Sequence, residues 1–147
     1  MISLVLACVS EPDTGLATGA LSMRFEMDSG YRESMEEPAV GRFHGSIWRG
    51  SEVTALGPRT GAEKLRDVVL EELDLSGDGP TAVLATTQDL PAIEVAVLGF
   101  MDSDDNADPE ESNPDAKDPV TLPADNFFVV IPDETIEITV FFGFLYP

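Results

Sequence analysis

From Asp102 to Glu110, oxygen-bearing side chains fall on every second residue: Asp102, Asp104, Asn106, Asp108 and Glu110. Oxygens at that spacing are what a hard cation takes from a single loop. The run follows an EF-hand loop at first and then departs from it. Ala107 stands where the sharp turn needs glycine, and Asn113 stands where the loop needs a bidentate glutamate. No helical pattern flanks the segment. Asp102, Asp104, Asn106 and Asp108 are therefore read as a looser Ca2+ or Na+ site, weighed against a plain solvated acidic loop. Asp74-Leu75-Ser76-Gly77-Asp78 is a weaker candidate for the same role. No other cofactor is expected.

Other chemistries find little footing. His44 is the only imidazole, and no Gly-x-Ser-x-Gly elbow supplies it with a nucleophile. Acid pairs such as Glu36-Glu37 mean little in a chain with 28 acidic residues. No Walker or dinucleotide glycine pattern occurs. Cys8 is alone, so neither an intrachain disulfide nor a zinc site of the usual ligand set can form. The expectation is a protein that is not an enzyme.

Charge narrows the partners. The chain carries −20, with 8 basic residues, of which only Lys64 and Lys117 are lysines. Direct binding to nucleic acid or to an anionic membrane is not expected, because phosphate contacts need Lys and Arg. The charge is also uneven. Residues 1–66 carry −2, residues 67–147 carry −18, and Asp102 to Asp118 alone holds 8 acids against Lys117. Abundant Asp and Glu with so little Lys resembles proteins of extreme halophiles, whose carboxylates are screened in molar salt. A GC-rich genome depletes lysine too.

The near-neutral first part holds arginines beside aromatics: Arg42 and Phe43, Trp48 and Arg49. Those residue types anchor protein interfaces. The C-terminus adds Phe141, Phe142, Phe144 and Tyr146. Together these eight form the expected contact surface.

The elements that must position these residues are mainly strands. Ile2–Val9 reads as a first strand; it is too short, and lacks the basic residues, for a signal peptide. No run approaches the length of a membrane helix. Leu21 to Asp28 alternates apolar and polar residues, as does Val40 to Trp48, where His44, Ser46 and Trp48 share one side. Gly41 and Gly45 suggest a bulge or a close backbone approach. Tyr31 to Met35 reads as a returning strand. A single amphipathic helix is predicted over about 61–74. Thr60 and Glu63 would form a capping box, and Leu65, Val69 and Leu73 a stripe. Strands follow at Thr81–Thr87 and Ile93–Phe100. The segment 102–123 is an acidic loop with four prolines. Phe127–Ile131 and Ile136–Leu145 read as a β-hairpin, the latter apolar on both faces toward its end and so central in a sheet or against another subunit.

The whole, 1–147, reads as one domain: a β-sandwich or α+β antiparallel sheet with one helix packed on it. The expected function is that of a structural or interaction protein that self-associates. In type it resembles virion accessory proteins such as capsid decoration, turret or head–tail components, with a virion or cytoplasmic location. The alternatives are an acidic nucleic-acid mimic that inhibits a basic protein, and a cation- or carbohydrate-binding β-module.

Overall fold

The computed structural model of the chain describes residues 16–108 and 112–147. The expected strand Ile2–Val9, Cys8 and Glu110 lie outside the described residues. In chain order the elements are β1 (Thr18–Met27), α1 (Ser29–Ser34), β2 (Val40–Arg49), β3 (Val53–Thr54), β4 (Gly57–Pro58), β5 (Lys64–Asp74), β6 (Ala85–Pro91), β7 (Glu94–Asp102), β8 (Pro119–Thr121), β9 (Phe127–Val129) and β10 (Thr135–Leu145). Among the described residues the chain is thus β-rich with one short α-helix. Among the described residues, no helix is long and apolar enough to cross a membrane.

One large sheet runs in the order β5-β2-β7-β8-β10-β1-β6, with β9 also paired to β7. Its pairs are antiparallel except β1 with β10. The sheet folds over on itself. Phe25 on β1 and Phe43 on β2 are three strands apart in the sheet, yet their rings meet edge-on at 5.2 Å. Phe142 of β10 joins them, 5.6 Å from Phe43. Around this aromatic centre lie the inward residues of the alternating strands: Leu21 and Met23, Ile47, Val95 and Val97, and Val140, all fully buried. The alternation read from β1 and β2 is therefore what builds the core.

The helix expected over 61–74 is instead the edge strand β5. Its apolar spacing looks helical because β5 carries two bulges. Between Gly41↔Leu73 and Phe43↔Leu70, β5 advances three residues against two on β2. Between Ile47↔Arg66 and Trp48↔Lys64 it advances two against one. Each extra residue shifts the inward face by one, so buried Val68 and Leu73 stand five apart. The supposed capping box is a turn: Gly61 has φ +80°, and Glu63 pairs with Arg49 at 2.9 Å. The one helix, α1, occupies the segment read as a returning strand. Asp28 caps it by accepting the Tyr31 N–H at 3.0 Å.

The expected C-terminal hairpin also opens. Its turn is present, but β9 pairs with β7, whereas β10 pairs with β1 and β8. The start of β1 wedges the arms apart. Thr18 O accepts from Asp133 N, and Ala20 N donates to Glu134 O, each at 2.9 Å. Gly19 permits this approach, since a Cβ there would sit 2.1 Å from Ile131 O. The end of the expected 102–123 loop is structured as well: Pro119–Thr121 forms β8. As expected, β10 is a central strand.

Candidate functional site

Among the described residues, chemistry-bearing groups gather in the loop that joins β7 to β8 and on the outer face of β5-β2-β7-β8.

At the loop, β7 ends on Asp102 and β8 begins just after Asp118. The two ends of the acidic segment therefore meet. One carboxylate oxygen each from Asp102, Asp104 and Asp118 lies within 4.8 Å of the others. Asp118 is 1% exposed and Asp102 3%. Backbone donors hold both. Asn106 N and Ala107 N donate to Asp102 at 3.2 and 2.9 Å. Ser103 donates to Asp118 from both N and Oγ at 3.2 and 3.1 Å, and Asp115 N donates at 3.1 Å.

The electrostatics follow from burial and crowding. Burial pushes the Asp118 carboxyl up to about 6, helped by the Asp115 carboxylate and opposed by the Ser103 and Asp115 N–H groups. Burial would raise Asp102 too, but the Ala107 and Asn106 N–H groups outweigh it and hold that carboxyl below its usual range. Asp104 is raised by desolvation and by its acidic neighbours Asp102 and Asp115.

Of the four expected ligands, Asp102 and Asp104 come together. Asn106 serves differently: its amide donates to Asp104 at 2.9 Å and to Asp115, latching the loop across itself. Asp108 is not in the carboxylate group; its carbonyl accepts from Ser112 Oγ at 3.0 Å. The third carboxylate, Asp118, was hidden by the 15 residues that lie between it and Asp102 in the chain. The Asp118-Pro119 pair was its one signal, marking the turn that leads into β8. Three hard oxygens at this spacing have the chemistry of cation coordination.

The outer face is set by register. His44 stands opposite Val69 on β5 and Phe100 on β7; Phe100 stands opposite Val120 on β8, and Val120 opposite Phe144 on β10. An apolar row thus crosses five strands. His44 stacks on Phe100 with centroids 5.1 Å apart, and Tyr31 of α1 meets Phe144 edge-on at 6.1 Å. As their alternation predicted, His44, Ser46 and Trp48 share this face.

The expected contact residues divide. Phe43 and Phe142 are fully buried core residues, so they cannot form a surface. The two-residue period of a regular strand would put Phe144 on the same side as Phe142. A register shift between the two turns it outward, where it lines a depression with Tyr146. Arg42 and Trp48 line a neighbouring groove, with Arg42 paired to Glu71 at 2.7 Å. Arg49 is turned to Glu63. Phe141 is anchored through its backbone to Asn126. Sequence reading missed Leu56, which the β3–β4 hairpin holds 99% exposed at its tip. Its only signal is an apolar residue directly before the turn glycine, Gly57.

Comparison of the chain with protein-family models, with curated proteins and with solved structures returned no match.

Proposed function

We propose that this protein is a non-enzymatic interaction module that self-associates through the outer face of its sheet. The observation that carries this reading is Leu56 at the rim of a depression of about 640 Å3 lined by Leu98, Phe100, Val120, Leu122, Phe144 and Tyr146, with no charged side chain in its lining among the described residues. In a chain of net charge −20, an apolar hollow whose described lining carries no charge is the place where a second copy can approach with the fewest carboxylates brought together. Knob and hollow share one face, so a two-fold arrangement seats each Leu56 in the partner's hollow. Each Leu56 buried in this way contributes about 1.5–3 kcal/mol. A virion accessory role, such as capsid decoration, is the narrower form of the same proposal.

The test is mass in solution against salt, by light scattering. Association is expected to strengthen as salt rises, because screening removes the repulsion of the remaining surface. Leu56→Asp and Tyr146→Asp are each expected to give monomers. A wild-type chain that stays monomeric at all salt concentrations would sink the proposal.

A further inference from the structure

The outer face holds a second depression, of about 740 Å3, that meets the first along Pro58, Leu98, Gly99 and Phe100. Its size falls within the range of small-ligand sites. We infer that it is a binding groove for a neutral glycan chain.

The floor is β2, whose backbone is paired on both sides, by β5 and by β7. A peptide strand adding to a sheet needs a free edge, so this floor offers side chains only. Those side chains suit a sugar. His44 and Trp48 stand four residues apart on the same side of β2, ~13 Å along the strand. Flat rings of this kind take the C–H face of a pyranose. Between them lies a polar set. Ser46 Oγ donates to Asp67 at 3.1 Å, and Lys64 Nζ reaches Asp67 at 3.0 Å. Sugar hydroxyls donate and accept at once, so a fixed carboxylate and an ammonium side by side satisfy both functions. His44 Nε2 is buried and has no hydrogen-bond partner among the described residues. The preference for a neutral chain follows from pairing, since Lys64 is offset by Asp67 and Arg42 by Glu71.

Trp48 is the single tryptophan of the chain, so its fluorescence reports on this groove alone. The intact protein is titrated with the β-1,4-linked hexaoses of glucose, xylose and mannose and with maltohexaose. At least one is expected to bind saturably and to shift the emission. Calorimetry with Trp48→Ala and with Asp67→Asn is expected to show at least tenfold weaker binding. Asp67→Asn keeps nearly the same volume on an exposed strand position, so it decides the matter should Trp48→Ala fail to fold. Leu56→Asp is expected to bind as wild type does, which separates this groove from self-association. Failure of all four hexaoses to bind, or binding unchanged in Asp67→Asn, overturns the inference.

Discussion

Phe25 and Phe43 meet ring edge to ring face at 5.2 Å, although β7, β8 and β10 separate their strands in the sheet. The contact is the point where the two halves of the sheet close on each other. Both rings are fully buried. Replacing either by alanine removes a large apolar side chain and leaves a cavity, at an expected cost of about 3–5 kcal/mol. The two rings are also coupled to each other. A double-mutant cycle with leucine at both positions is expected to give an interaction of about 0.5–1.5 kcal/mol, measured by urea denaturation. Strict additivity would mean that the halves close elsewhere.

Asn126 is expected to be the most sensitive polar residue. It is fully buried. Its amide donates to Leu122 O at 2.8 Å and to Phe141 O at 2.9 Å, while its carbonyl accepts from Phe141 N at 2.8 Å. The side chain thus stands in for a neighbouring strand beside β10. Asn126→Ala leaves Phe141 N and Phe141 O unpaired, and leaves Leu122 O with the Asp125 N–H as its donor, for a loss of about 2–3 kcal/mol. Asn126→Asp is expected to be worse at pH 7, because a carboxylate faces two carbonyl oxygens. Acid should restore part of that loss. Thermal denaturation at pH 7 and pH 5 checks both statements.

Much of this frame was legible in the sequence. The alternation of Leu21, Met23, Phe25 and Met27 located β1 and its inward face, and alternation located β2 as well, although Phe43 was expected in the contact surface and lies in the core. What misled was bulging. An extra residue in a strand breaks the two-residue period, and Val68 to Leu73 then imitates a helix. The same effect turned Phe144 away from Phe142. The outer face was half legible: alternation grouped His44, Ser46 and Trp48, but only register could add Val69, Phe100 and Val120. The carboxylate cluster was legible at Asp102 and Asp104. Asp118 depended on β7 and β8 becoming neighbours, which is a long-range fact.

Gly45 and Gly99 face each other across β2 and β7, and the Phe43 ring lies against both. A Cβ on Gly45 would sit 2.4 Å from Phe43 Cζ, and one on Gly99 2.4 Å from His44 O. Phe25 and Phe142 pack against the Phe43 ring, so it cannot swing aside. Gly45→Ala is therefore expected to destabilise by about 1–3 kcal/mol through overpacking. Phe43→Leu in the same chain should cost less than it does alone, because the smaller side chain makes room for the methyl group. Additive losses in urea denaturation would show that the ring does not press on Gly45.

Asp118 gives stability a pH dependence of unusual sign. Its carboxyl, raised to about 6 by burial and by the Asp115 carboxylate, binds a proton more tightly in the folded chain than in the unfolded one, where the ordinary value is 3.8. Between those values the folded state holds a proton that the unfolded state has released. Stability must therefore fall as pH rises through this window, by at most ~1.4 kcal/mol per pH unit from this group. Asp67, held low by Lys64, and Asp74, held low by Ser76, act the opposite way: the stability they contribute is lost as pH falls through their depressed values. Thermal stability is accordingly expected to be higher at pH 4.5 than at pH 7, and to decline in stronger acid. Asp118→Asn separates this group from the general relief of negative charge. The amide can keep the bond from Ser103 but loses the one from Asp115 N, at a cost of about 1 kcal/mol. It should flatten the slope between pH 4.5 and 6.5 relative to wild type. An equal slope in the two proteins would place the titration elsewhere.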